Sequence, residues 1–404
     1  MNKREISEIK KQFKKGNNAI TRICGCYVDG EKEKKTEMKD AFLSLPEEEM
    51  FKYFDIFRKS LSGTIGKNLL NMEFPLETES EGGTQEFLLK LRNSRLTDDA
   101  LLEEFYNRVI DSYDYAENYL ILLVHAAYDI PGKSTDGSEM FDASDEVYDY
   151  IMCTFCPVKL SKPGLSYHAE ENSFHERIRD WIVEMPDAGF LFPAFNDRST
   201  DIHNLLYYSK NAENLGNGLT DLLLGCVPPL TAGNQKDTFR TLIEETLGDD
   251  CDYDTVKNIH ENLNEMIEQN SENPEPLALD KAEVKYLLAK SGVEEEKLET
   301  FDEQYDSAAG EHSTLLASNI ANLKKFEIKT PDITIQVNPE CSYLVETRII
   351  DGQKCLVIVV DDRVEINGIS AKTAVSGGLP KSSTPDASDE SKSDTSENEM
   401  DVPF

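Results

Sequence analysis

The sequence predicts an α+β fold: a mixed α/β N-terminal portion with an antiparallel hairpin, a helical middle, a small C-terminal β unit and a disordered acidic tail. Three observations carry this expectation. The apolar runs Tyr119–Tyr128 and "VYDYIMCTFCPV" flank a polar stretch rich in Asp and Gly, about 129–145, which is the pattern of a hairpin with a long tip. Between Ser199 and about Phe326 the apolar residues recur at helical spacing. Beyond Phe326 the period drops to two, as Ile333, Ile335 and Val337 alternate with other residues. The expected divisions are a mixed α+β domain over 1–198, a helical region over 199–325, a β unit over 326–374 and a tail over 375–404.

Each element has a local cause. Ile6, Ile9 and Phe13 fall on one side of a helix over residues 3–15, which leads into a strand over 19–28 and an Asp29-Gly30 turn. In "LPEEEMFKYFDIFRKSL" Pro46 stands at a helix start, three acids occupy the end where the helix dipole is positive, and Met50, Phe51, Phe54 and Phe57 run along one side. A further helix is expected across "DDALLEEFYNRVIDSY", and short strands near "LSYHAE" and "DWIVEM". The helical middle is read in "STDIHNLLYYSKN", "QKDTFRTLIEETLG", "YDTVKNIHENLNEMIEQ" and "DKAEVKYLLAKSG", with Asp280 and Glu283 as a capping box and Gly248 and Gly292 as stops. "YLVETRII" and "KCLVIVV" flank an Asp351-Gly352 hairpin turn. Past about Ala374 almost nothing is apolar, so burial cannot offset the ordering entropy and this end is expected to be disordered.

Charge narrows the partners. The formal net charge is −35, and Ala371–Phe404 holds seven acids and three lysines, so the folded body itself is acidic. Such a body repels phosphate polymers and anionic membrane surfaces, which leaves protein or small molecule as the expected partner. The charged N-terminus lacks the apolar core of a signal peptide, and the run "YLILLVHAAY" is too short to span a bilayer. A cytoplasmic location follows, with the eight cysteines expected to persist as thiols and no structural disulfide.

Three motifs invite specific functions and are better read otherwise. Cys24-x-Cys26 with Cys153-x-x-Cys156 suggests a four-thiolate zinc site. On strands, however, Cys24 and Cys26 share a face while the three-residue spacing sets Cys153 and Cys156 on opposite faces, so the expectation is buried thiols with no metal and no cofactor. "LSGTIGKNLL" echoes a phosphate-binding loop, yet the first glycine is missing, Asn68 stands where a magnesium-binding Ser or Thr belongs, and a helix precedes it; a helix-ending turn is the reading. "LDKAEVKYLLAKSGVEEEKLETFDEQY" has the outline of a helix-turn-helix, but its second helix carries six acids against Lys297 and cannot enter a phosphate-walled groove. It is read as an antiparallel helix pair with a solvated face.

Two groups of residues remain as candidate sites. "FNDRSTDIH" gathers Asn196, Asp197, Arg198, Asp201 and His203, a carboxylate, guanidinium and imidazole set that suits phosphate recognition or phosphoester chemistry at a helix start. The competing reading makes Ser199 or Thr200 a helix cap with Asp201 complementing the dipole. Met1–Lys39 runs against the global charge, with eleven Lys or Arg and six acids, and Lys10, Lys11, Lys14 and Lys15 are expected at one end of the first helix, as a candidate partner-binding patch for nucleic acid or an acidic protein surface or, in the competing reading, as a solvated helix face.

The segments "NAITRICGCYVDG", "LSGTIGKNLLNMEFPLE", "LLVHAAYDIPGK", "CPVKLSKPGLSY" and "RDWIVEMPDAGFLFPAFNDRSTDIHNLLYYSKN" resemble a bacterial family described as a domain of unknown function, number 4317. The order of parts also resembles the thirty-seven-kilodalton nucleoid-associated proteins, which implies nucleoid association without enzyme activity. Asp197 and Asp201 flank Arg198 where DNA contact would be made, so nucleic acid is expected only indirectly, through a protein partner. The resulting expectation is a non-catalytic interaction protein. Its alternatives are an enzyme or binding protein acting on a phosphorylated substrate through Asn196 to His203, and a protein scaffold with no nucleic-acid role.

Overall fold

Long apolar strands pair first, because residues buried on both faces of a sheet read as continuous hydrophobic runs. The sheet has eight strands, the central ones of this kind: β1 (Ile20–Val28), β2 (Lys34–Ala41), β3 (Leu69–Glu73), β4 (Tyr119–Asp129), β5 (Val147–Leu160), β6 (Trp181–Val183), β7 (Ala188–Phe192) and β8 (Asn204–Ser209). The order across the sheet is β2-β1-β4-β5-β7-β8-β3, every neighbour is antiparallel, and β6 pairs with the far end of β5. The structure, a computed structural model, describes residues 1–16, 18–133, 139–140, 146–310, 313–360 and 364–372. The expected tail, 375–404, lies outside them. The described residues fall into two units, one spanning Met1–Ser342 and one beginning at Tyr343, and the fold is α+β.

Both faces of the sheet are covered by helices. One carries Cys24, Leu123, Cys153, Phe155 and Phe190 and is closed by α3 (Thr84–Asn93) and α4 (Asp99–Ser112) through Leu88, Leu91, Phe105 and Tyr106. The Arg108 guanidinium lies 4.0 Å over the Phe87 ring and ties these two helices together. The opposite face carries Ile23, Leu122, Val124, Met152 and Cys156 and is closed by α1 (Lys3–Lys10) and α2 (Glu47–Ser60) through Ile6, Ile9, Phe54 and Phe57. Full burial of each such aliphatic or aromatic side chain contributes about 1.5–3 kcal/mol before entropy is counted. Asn2 and Glu5 form a capping box on α1, and Asp98 caps α4.

Residues 199–211 correct the sequence reading. They do not open the helical region: Ser199–Asp201 pairs with Ala194–Asn196 in a hairpin, and β8 is an interior strand between β7 and β3. Asp197 and Arg198 hold the two-residue turn with φ of 51° and 58°, the left-handed pair that a tight hairpin requires, so neither Ser199 nor Thr200 caps a helix. Leu205, Leu206, Tyr207 and Tyr208 are all buried, alternately on the two faces.

A third core belongs to helices alone. α5 (Ala232–Leu247), α6 (Tyr253–Gln269), α7 (Lys281–Lys290), α8 (Glu295–Leu298), α9 (Phe301–Ala309) and α10 (Ala317–Ile320) enclose Leu242, Leu263, Leu287, Leu288, Phe301 and Tyr305. The Asp280–Glu283 capping box forms, and Gly248 and Gly292 end their helices with positive φ. The acidic segment after α7 is split into α8 and α9, and α7 and α9 run antiparallel, bridged by Lys281–Asp306 at 2.7 Å and Lys285–Asp302 at 3.2 Å. In the second unit, Val345–Ile350 and Gln353–Ile358 pair across the expected Asp351-Gly352 turn, and Val364–Ile366 pairs with Ile369–Ala371. The expected alternation of Ile333, Ile335 and Val337 belongs to a hairpin of the first unit, Phe326–Lys329 with Thr334–Val337.

The cysteines sit as strand geometry requires. Cys24, Leu123 and Cys153 line up across β1, β4 and β5 on one face, whereas Cys156 packs on the other. Burial pushes the Cys24 thiol up to about 11 and those of Cys26, Cys156 and Cys226 up to about 12. Alkylation needs an accessible thiolate. We therefore expect iodoacetamide to modify native protein only at Cys251, Cys341 and Cys355 and denatured, unreduced protein at all eight positions, as read by mass. Labelling of Cys153 in the native state would contradict the packing.

Candidate functional site

The cluster Asn196 to His203 is a fastening. Asp201 accepts hydrogen bonds from Asn196 Nδ2 at 2.7 Å, Asn204 Nδ2 at 2.8 Å and the His203 amide at 3.0 Å. Burial alone would raise its carboxyl, but these three donors outweigh burial and hold it below the ordinary carboxylate range. Arg198 pairs with Glu8 at 3.1 Å, and the Asp197 amide donates to Glu5 at 2.8 Å, so the hairpin turn is tied to α1. His203 faces solvent and bonds Glu79, which raises its pKa. Among the described residues no nucleophile–base hydrogen bond occurs in this cluster.

The four lysines are brought together only in part. Lys10 and Lys11 stand at the C-terminal end of α1, where the dipole favours cations. Lys10 bonds the Ser62 hydroxyl, and burial, with Arg58 and Lys59 nearby, lowers its pKa. Lys15 is paired with Glu47 at 2.6 Å, which leaves Lys11 and Lys14 exposed. The echo of a phosphate loop is a packing joint: Gly66 has φ of 82°, its carbonyl accepts from the buried Asn319 Nδ2 at 3.0 Å, and a Cβ there would lie 1.9 Å from Leu316 Cδ1.

What the sequence did not single out is a projecting arm. Strand β5 outruns β4, and its last residues, Val158–Leu160, pair only with β6. The chain between them forms a second hairpin, Leu165–His168 with Ser173–Glu176, so about 25 residues form a two-stranded ribbon off the main sheet path. Its apolar side chains lie in solvent: Leu165 is 76% exposed, Phe174 67%, Ile178 78% and Trp181, the one tryptophan of the chain, 57%. Tyr167 and Phe174 contact each other at 5.4 Å between ring centroids. Hydrogen bonds brace the base, from Arg179 Nε to the Ser161 carbonyl at 2.7 Å and from the Ser161 amide to Asp180 at 2.8 Å. Scattered exposed apolar residues are ordinary, whereas several on one short ribbon are not. The quoted segments "LSYHAE" and "DWIVEM" held the signal, since consecutive Trp181, Ile182 and Val183 cannot all face one core from a strand.

A cleft of about 790 Å³ opens between the end of α4 and the loop after β8, lined by Tyr113, Tyr115, Asp187 and Lys210 among others. Its lysine is paired with Asp187 at 2.8 Å. Among the described residues no helix is long and apolar enough to cross a membrane. Comparison with curated proteins finds no match. The family model described as Domain of unknown function (DUF4317) matches residues 1–369, and the chain belongs to that family.

Proposed function

We propose that this protein works by docking a protein partner on its projecting arm, as a non-catalytic interaction protein. The observation that carries the reading is the exposed set Leu165, Phe174, Ile178 and Trp181 on a ribbon of two strands. A two-stranded ribbon is marginal on its own, and aromatic anchors of this kind supply most of the affinity at protein interfaces. Charge selects the occupant. A second copy, an anionic bilayer and a nucleic acid would each meet a chain of net charge −35, so the partner fitted is a protein with an apolar groove and no net negative charge. The free edge of β6 offers backbone to a partner strand, and Trp181 beside it offers the side chain for a pocket.

Trp181 is also the reporter. Proteins crosslinked to this chain in its own cells would be identified with and without nuclease, and the captured partner purified. Its addition should shift the Trp181 emission to shorter wavelength, and Trp181→Ser with Phe174→Ser should weaken binding about 100-fold or more with the melting temperature unchanged, as for loss of two aromatic anchors. Unchanged affinity in that double variant would sink the reading. Recovery of DNA in a salt-sensitive manner, independent of any protein, would replace it with direct nucleoid contact through the lysines of α1.

A further inference from the structure

A second site lies where α3 ends against the sheet. The helix stops at Asn93, and the chain turns through Arg95 and Leu96 with φ of 53° and 57°, two consecutive left-handed residues that each cost about 1–2 kcal/mol. Leu96 is fully buried and holds the turn down, while Arg95 is presented outward. Beneath it a cavity of about 270 Å³ is lined by Arg92, Asn93, Arg95, His125 and Asp149.

Three features of this cavity are out of keeping with a protein so rich in acids. Arg92 and Arg95 have no carboxylate within ion-pair distance among the described residues; Arg92 bonds only the Asn93 side chain, at 3.0 and 2.7 Å. Asp149 Oδ1 is covered from solvent without a hydrogen-bond donor, and the imidazole nitrogen His125 Nε2 stands 3.6 Å away, beyond hydrogen-bond reach. His125 is 1% exposed and is aimed by a β-bulge, for the register of β1 on β4 slips between Ile20 and Arg22 so that Thr21 becomes the extra residue and its hydroxyl meets His125 Nδ1 at 2.7 Å. Burial depresses the His125 pKa and, with Arg95 and Arg92 adding to it, outweighs the pull of Asp149, which keeps the imidazole neutral at pH 7.

We infer that this cavity binds a small phosphate, free or as the head of a phosphorylated small molecule, through Arg92 and Arg95 with Asp149 as the acceptor for an O–H that the ligand carries. Guanidinium groups match the fork of phosphate oxygens, and two of them against one carboxylate leave the cleft positive. The carboxylate then sets selectivity. An oxyanion with no proton of its own is repelled by Asp149, whereas hydrogenphosphate, or a phosphate with an adjoining hydroxyl, donates to it. The space exceeds a bare phosphate and admits a short substituent.

The test is calorimetric titration of the full chain with inorganic phosphate, glycerol 3-phosphate and sulfate. Phosphate or glycerol 3-phosphate should bind one per chain, the tighter of the two identifying the source, and sulfate should bind at least about tenfold more weakly. Arg95 is exposed, so Arg95→Gln should fold as the native chain does and lose about tenfold or more in affinity. Asp149→Asn should bring sulfate to within about threefold of phosphate, because the neutral amide no longer repels sulfate and is the weaker acceptor for a phosphate O–H. Absence of binding heat with both phosphate and glycerol 3-phosphate in the native protein, or Arg95→Gln binding as tightly as native, overturns the site. Equal binding of sulfate and phosphate by the native protein overturns the part given to Asp149.

Discussion

Phe105→Ala is expected to remove about 3–5 kcal/mol of unfolding free energy, because it deletes a large ring from a packed interior that collapses only partly around the hole. Phe105 is fully buried on α4, its ring lying 6.4 Å from that of Phe190 on β7 and 6.1 Å from Tyr106. It therefore joins the helical cover to the middle of the sheet, where neighbours on both sides are fixed by strand pairing and cannot move in. The check is a urea titration followed by far-ultraviolet circular dichroism, with a lowered midpoint at unchanged slope as the expected result. Trp181→Ser serves as the internal comparison and should stay within about 0.5 kcal/mol of the native protein, as surface substitutions do. A loss below about 1 kcal/mol for Phe105→Ala would mean that α4 is not seated on the sheet.

Gly66→Ala should cost about 2–4 kcal/mol, from two independent sources. The residue has φ of 82°, which an L side chain adopts only under strain, and the added methyl would overlap Leu316 Cδ1. The consequence is local as well as global. Leu316 and Asn319 belong to the helical layer, and the Asn319 amide bridges the Gly66 carbonyl at 3.0 Å and Gln235 Oε1 at 3.1 Å, so the substitution pries that layer from the sheet. Hydrogen exchange should show faster opening of α5 and α10 while the amides of β4 and β5 remain protected. Uniform acceleration across all elements would argue that the joint does not hold two layers together.

The elements legible in the sequence are those whose pattern has one physical solution. α2, α4, α5, α6 and α7 are readable because their apolar spacing, caps or stops agree, and β1, β4 and β5 because long apolar runs bounded by turns have few other uses. Residues 204–209 were misread as helix for a definite reason. Leu205 to Tyr208 is a short unbroken apolar run, which a fully buried strand and a buried helix share, and the Ser-Thr-Asp before it imitates a cap. The turn that decides the matter uses Asp197-Arg198, whose left-handed pair lacks the glycine that usually announces it. Short β7 and α3 left too little pattern to find. Of the candidate cluster, the sequence conveyed the proximity of Asn196, Asp201 and His203 but not that α1 takes up Arg198 through Glu8, a contact between residues far apart in the chain. Arg92, Arg95, His125 and Asp149 come together only where the end of α3 meets the paired strands β4 and β5, and the bulge that aims His125 leaves no mark on hydrophobic period.

The strand order has a temporal side. β3, Leu69–Glu73, pairs with β8, Asn204–Ser209, and has no other strand partner within the main sheet. On a ribosome adding roughly 5–20 residues per second, the partner emerges on the order of ten seconds after β3 does, and the nascent chain meanwhile offers an unpaired apolar edge. Contacts so distant in sequence also slow the search for the native pairing once synthesis ends. Until residue 209 leaves the exit tunnel, β3 therefore lacks the only strand that pairs with it in the main sheet, and the edge of the sheet is completed last.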